Sequence, residues 1–341
     1  MYTERAEKAG KGAESVPKRA LSYAVQGKAR DGGTYSCDKV QLVYRLRYGE
    51  AQGLLDALAQ AHWVEFEHWE SRRPGTYRNQ FRVLAPEGCS YWLGVGLNEY
   101  GKGKASEGAK LEWNPNKVGD QRSLAWLRAE LWSRTRLREP CEIKAWDLAI
   151  DWPAPRETYR LRKDARLYEE HTKSASDCTQ YVGQRNAPGR CKLYNKQAEA
   201  GLASACTRLE LTLAGGWGAQ DVAHVWPVVY RLDDYQATIE AAQLTDTDRF
   251  ILATLLDAPE RLRELGRRKA TKMRQLLEQA GRIVQFDEAA FAPVAAYVAR
   301  LALPDADREE ARPAWEWVGQ PPDWVPPDKD PFTGRRAKQD C

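Results

Sequence analysis

The chain has 341 residues, 43% of them hydrophobic and 29% charged, a composition that argues against a fibrous repeat or disorder over most of the length and leaves one large or two smaller folded units. Its 52 basic and 48 acidic side chains leave a net charge of +4, too small by itself to mark a nucleic-acid binder. Seven widely spaced cysteines without a CxxC pair, beside four histidines, argue against a disulfide framework or a structural zinc site. No run approaches the roughly 18 consecutive apolar residues of a membrane span, and the first residues lack the apolar core of a signal peptide, so a cytoplasmic protein with no membrane partner is expected.

The first 30 residues hold seven basic and three acidic side chains with few large apolar ones, so residues 1–35 read as a flexible basic arm. Beyond it the hydrophobic period switches repeatedly between two and about three and a half, as alternating strands and helices require. VQLVYRLRY (40–48) reads as a strand, EAQGLLDALAQA (50–61) as a helix, and NQFRVLA (79–85) with SYWLGVGLN (90–98) as a hairpin. A strand at AKLEW (109–113), a helix within 120–136 and a strand at EIKAWDLAIDW (142–152) follow. Next come a helix within 156–171 and strands near 178–183, 190–196 and 206–213. The pattern predicts an α+β fold, an antiparallel sheet with helices packed on one face over 36–218, then a C-terminal helical segment over 219–303. Proline-rich PPDWVPPDKDPFTGRR marks 304–341 as a tail. Cys141 and Cys206, beside apolar β-like runs, read as buried reduced thiols.

Inside the helical segment Pro259 can open one helix and Gly266 close it, with a second running to Gly281. Residues 260–282 carry eight basic and three acidic side chains, Arg267, Arg268 and Lys269 among them. Two short helices joined at a glycine, the second one basic, suit a helix-turn-helix-like DNA-binding unit. A small bundle with a solvated basic face fits the same pattern equally well.

Three strands carry the residues with chemical potential. If 190–196 is a strand, Arg190, Lys192, Tyr194 and Lys196 share a face, placing a phenol in a row of cations. Positive neighbours favour phenolate and attract phosphate, two requirements of a tyrosine that attacks a phosphodiester. Along 143–151 one face holds Asp147 and Asp151 separated by Ala149, roughly 13 Å apart and so unable to share one ion without help from neighbouring strands. That help can come from ACTRLELTL (205–213), where Arg208, Glu210 and Thr212 share a face. Glu210 and an aspartate would suit a hard cation such as Mg²⁺ or Mn²⁺. A half-packed tyrosine and surface ion pairs account for the same patterns without any chemistry. GLNEYGKG (96–103) has phosphate-loop spacing but Gly103 where Ser or Thr is needed, and reads as a hairpin tip. No His-x-His pair exists, so the two-histidine metal site of many DNA-nicking enzymes is absent.

Four blocks together resemble the replication initiation factor family, initiators of rolling-circle replication in plasmids and filamentous phages. They are EWNPNKVG (112–119), WDLAIDW (146–152), QYVGQRNAPGRCKLYNKQAE (180–199) and TRLELTL (207–213). Ala145-Trp146 and Gln184 depart from the family's usual arginine and serine. The resemblance implies an enzyme that nicks and closes DNA, with Tyr194 as nucleophile and Asp147 and Glu210 as active-site carboxylates or ligands of a divalent cation; Lys196 is the second candidate catalytic residue and Asp151 the third candidate ligand. It puts Arg190 and Lys196 where phosphate contacts are expected; Arg185, Lys192 and Arg208 are further candidate phosphate contacts, with Arg267, Arg268 and Lys269 on the basic helices. The implied partners are duplex origin DNA, single-stranded DNA, a host helicase and polymerase, and a second copy of the chain. Tyr181 remains a competing nucleophile, and a non-catalytic DNA-binding regulator or an RNA-binding protein of a mobile element are competing functions.

Overall fold

The computed structural model describes residues 24–84, 90–98, 106–118, 122–135, 141–174, 176–231, 240–257, 259–280 and 282–303. The proposed tail, most of the proposed arm and the tip at 99–105 lie outside the described residues.

The strands are β1 (Gly27–Lys28), β2 (Thr34–Arg45), β3 (Glu65–Glu70), β4 (Tyr77–Leu84), β5 (Ser90–Leu97), β6 (Gly108–Trp113), β7 (Glu142–Trp152), β8 (Tyr159–Leu161), β9 (Tyr168–Thr172), β10 (Cys178–Val182), β11 (Cys191–Asn195), β12 (Thr207–Ala214), β13 (Val229–Arg231) and β14 (Arg282–Ile283). The helices are α1 (Glu50–Gln60), α2 (Pro115–Val118), α3 (Arg122–Ser133), α4 (Lys196–Ala200), α5 (Ala219–Val225), α6 (Asp246–Asp257), α7 (Arg267–Ala280) and α8 (Glu288–Leu301). One large sheet runs in the order β3-β4-β5-β6-β2-β7-β12-β11-β10-β9, with β1 paired to β2, and every pairing is antiparallel. A small sheet, β14-β13-β8, stands beside it.

Alternation along β7 decides which face of the large sheet is wet. Trp146, Leu148, Ile150 and Trp152 are buried on one side, joined by Leu209, Leu211 and Leu213 of β12 and Val40, Leu42 and Tyr44 of β2. Helices cover that side: Leu54 and Leu58 of α1, Leu127 and Leu131 of α3 and Val294 and Val298 of α8 enter the same core, and Phe291 of α8 stacks on Trp146 at 5.9 Å. The α+β fold is thus as the periodicity predicts. Truncating a fully buried leucine such as Leu148 would cost about 2–5 kcal/mol.

Two departures have physical reasons. The segment 156–171 holds a 3₁₀ turn (Arg156–Thr158), β8 and β9 instead of a helix. β9, YEEHT, is an edge strand with four exposed residues, so it lacks the apolar alternation that marks a half-buried strand. Near the N-terminus, Gly27 and Lys28 pair with Tyr35 and Thr34, which draws the end of the expected arm into the sheet.

The expected pair of segments around Gly266 is present as a 3₁₀ helix (Pro259–Glu264) and α7. With α6 they form a separate small core of Leu252, Leu255, Met273, Leu276 and Leu277. Buried Asp248 accepts hydrogen bonds from Lys269 and Lys272. Among the described residues, no helix is long and apolar enough to cross a membrane.

Candidate active site

Register brings the acidic and basic residues of β7, β12 and β11 onto the face away from the helices. Lys192 lies opposite Glu210, Glu210 opposite Ala149, Thr212 opposite Asp147, Tyr194 opposite Arg208, and Arg208 opposite Asp151. β2 contributes through an irregularity between Cys37 and Lys39, where one extra residue, Asp38, restores Val40 to the core side. The bulge places Asp38 and Lys39 beside the site. At the end of β6, Asn114 donates to Asp38 at 3.1 Å while its own side chain accepts from the Asn116 backbone at 2.9 Å. Residues from all four sequence blocks therefore meet on one patch.

The turn after β10 is set by Gly183, whose φ of 101° is a left-handed conformation, with the Arg190 backbone so close that a Cβ would lie 2.9 Å from its Cα. β11 then stops at Asn195, whose side chain caps α4 by accepting from the Ala198 backbone at 2.9 Å. Lys196, the last residue of the expected strand, is thus the first residue of a helix, and its side chain turns back to Tyr194.

Tyr194 is only 4% exposed and its hydroxyl donates to Glu210 Oε1 at 2.5 Å. The Lys196 ammonium lies 3.5 Å from the same hydroxyl and 2.5 Å from Glu199. Lys192 sits over the phenol ring, 3.7 Å from its centroid, and 3.9 Å from Glu210. The expectation that cations favour phenolate is overturned. Burial and the Glu210 charge push the phenol far above its ordinary value, against the pull of Arg208. Glu210 is itself raised by burial and the Asp38 charge, despite Lys192, the phenol and Arg208. The result is a neutral phenol whose hydroxyl donates to Glu210.

Two residues along β12 from Glu210 the charges are matched. Arg208, 2% exposed, holds Asp151 with two bonds of 2.6 and 2.7 Å and also donates to Asp38. Burial raises the Asp38 carboxyl, but Arg208, Lys196 and the Asn114 hydrogen bond prevail and hold it below the usual range. Arg208 is an internal ion-pair hub, not a surface phosphate contact. Arg190 lies over the Tyr181 ring at 4.7 Å and 3.8 Å from Glu169, and Arg185 is exposed in the turn. Arg267, Arg268 and Lys269 belong to α7 and its separate core.

The three expected metal ligands are not gathered. Asp147 accepts from Thr212 at 2.8 Å and faces Lys39 at 3.2 Å, Asp151 is held by Arg208, and Glu210 by Tyr194 and Lys192. Among the described residues, no group of three His, Cys, Asp or Glu side chains could hold a metal ion. The donor set as arranged does not fit a resident Mg²⁺ or Mn²⁺, which takes oxygens not already matched by ammonium and guanidinium groups. Any such ion would have to displace Lys39 or Lys192.

Sequence reasoning missed Asp38, Lys39, Asn114 and Glu199. The change of apolar parity from Tyr35 and Cys37 to Val40, Leu42 and Tyr44 was the available signal for the bulge.

No protein-family model matches the chain, and no curated protein matches it. Among solved structures, a rolling-circle replication initiator protein from Geobacillus stearothermophilus is similar over 75% of this chain and 100% of its own, at 13% identity and a TM-score of 0.32. At that TM-score the likeness assigns nothing to the site, and the family resemblance stands on the four sequence blocks.

Proposed function

We propose that the chain initiates rolling-circle DNA replication by nicking one strand of an origin with Tyr194 and later rejoining it. The observation that carries the reading is the 2.5 Å hydrogen bond from the Tyr194 hydroxyl to Glu210, flanked by Lys192 and Lys196. The Tyr194 oxygen attacks the scissile phosphorus as its proton passes to Glu210, so a phosphotyrosyl bond forms and the P–O3′ bond breaks. The departing 3′ oxygen takes its proton from Lys196 or water and becomes the primer end for a host polymerase. Lys192 balances charge on the phosphate. Transfer in reverse closes the strand, because the phosphodiester energy is kept in the phosphotyrosyl bond. The basic face of α7 suits contact with duplex phosphates, and a host helicase would unwind the origin.

The test is to incubate the protein with a supercoiled plasmid carrying its own gene and flanking DNA, in Mg²⁺ or Mn²⁺, and to map any protein-linked 5′ end. Loss of the adduct in Tyr194→Phe but not in Tyr181→Phe is expected; adduct in both variants would remove the assignment. A second reading, a non-catalytic DNA-binding regulator using α7, is favoured by the burial of the phenol, which is only 4% exposed. It requires that the wild-type protein form no adduct and that Tyr194→Phe leave DNA binding unchanged.

A further inference from the structure

Tyr194 and Glu210 line a cleft of about 520 Å³ that also includes Trp69, Arg82, Trp92 and Lys39. Trp69 belongs to β3 and Tyr194 to β11, seven strands apart in sheet order. A flat sheet would separate them by about 34 Å at the usual strand spacing. Their sharing of one cleft places the polar face on the inside of a curl, with β3, β4 and β5 supplying the wall across from Tyr194.

That wall is aromatic, with Arg82 and Glu67 paired across it. Trp69 is 41% exposed, an unusual placement for an indole on a sheet. Trp92 lies directly opposite Arg82 in the β4–β5 pairing, and its six-membered ring leans across Gly94, where an added Cβ would come within 2.4 Å of Cη2. The Tyr77 ring closes on Trp92 edge-on at 5.6 Å, and Lys110 lies 5.4 Å from its centroid. Glycine at 94 is therefore what allows the indole to occupy that space. Arg82, with its side chain about half exposed, reaches Ser90 at 3.2 Å and Glu67 at 3.6 Å.

We propose that Trp69 and Trp92 form a stacking subsite for unpaired bases of the strand that Tyr194 attacks, with Arg82 and Lys110 beside the intervening phosphates. The proposal deepens the nicking reading and rests on it for the identity of the strand. Exposed aromatic faces flanked by cations bind single strands with little sequence preference, because every base has a π-face. A cleft of this volume accepts a ligand of nucleotide size. Stacking bases across from the nucleophile would hold the backbone between them over Tyr194, which is what in-line attack needs.

The experiment compares binding of a fluorescently labelled oligothymidylate of about 15 nucleotides with an abasic deoxyribose-phosphate strand of the same length, by anisotropy on the full chain. Wild type is expected to prefer the base-bearing strand. Trp69→Ala and Trp92→Leu should each weaken that strand roughly five- to hundredfold, the range for one stacked base, and leave the abasic strand nearly unchanged. Trp69→Phe should restore most of the preference. Equal binding of the two strands by wild type, or an undiminished preference in folded Trp69→Ala, would overturn the subsite. Trp69 is exposed enough that its alanine variant should keep the wild-type melting temperature. Tyr194→Phe serves as the separate control. If it still forms adduct while base preference holds, the nucleophile assignment fails and the subsite survives; if it abolishes adduct while wild type shows no preference, the reverse is true.

Discussion

The two ends of the polar face treat buried charge in opposite ways. At one end Arg208 satisfies Asp151 and Asp38 together, and the Asp38 carboxyl is held below its usual range. At the other, Glu210 has a neutral phenol and a lysine 3.9 Å away, and its carboxyl is raised. A buried carboxylate answered by a close guanidinium is inert scaffolding, whereas one left partly unanswered gains by taking a proton. The lesson is that one sheet face can hold carboxylates shifted in opposite directions, distinguished by their partners and not by their spacing.

The largest effect expected at the reactive end is complete loss of covalent DNA adduct in Tyr194→Phe, read on denaturing gels. Glu210→Gln keeps the shape but removes the base, so adduct formation should slow about 10²- to 10⁴-fold. Its melting temperature should be unchanged or slightly higher, because a strained charge is gone. At the structural end Arg208→Leu strands two aspartates and should destabilise the fold by about 3–5 kcal/mol in urea melts. Equal stability losses for Glu210→Gln and Arg208→Leu would erase the distinction.

pH separates the two ends by sign. Because Glu210 is raised in the fold, its contribution is complete below the ordinary glutamate range and falls as pH rises through the raised value; adduct formation, which needs the carboxylate, should rise through the same window. Asp38 is lowered, so its contribution is present above the ordinary aspartate range and is lost as pH falls through the lowered value. Urea midpoints across pH for Glu210→Gln and Asp38→Asn should each lose one limb of the profile. The smallest effect concerns α7: Arg267→Ala and Arg268→Ala should each reduce the salt slope of duplex binding by about one, with no change in adduct chemistry.

Alternation made the faces of β7, β12 and β11 legible, since each strand is half buried and a period of two fixes which side chains share a side. It placed Tyr194, Glu210 and Asp147 on one face although Asp147 and Glu210 lie 63 residues apart in the chain. The partners were not legible. Arg208 looks like a surface cation from its own strand, and only the pairing with β7 and the bulge at Asp38 turn it inward. Cations near Tyr194 predicted phenolate because sequence shows sign but not burial, and burial is the larger influence. β3 and β9, both mostly exposed edge strands, gave no periodic signal, which hid the wall that carries Trp69.

The most direct test is mass spectrometry of trypsin-digested protein after reaction with its own origin and nuclease trimming of the DNA. The account predicts a nucleotide remnant on residue 194 in the peptide Leu193–Lys196, greatly diminished in Glu210→Gln. A remnant on Tyr181, or one on Tyr194 formed at the wild-type rate in Glu210→Gln, would contradict it.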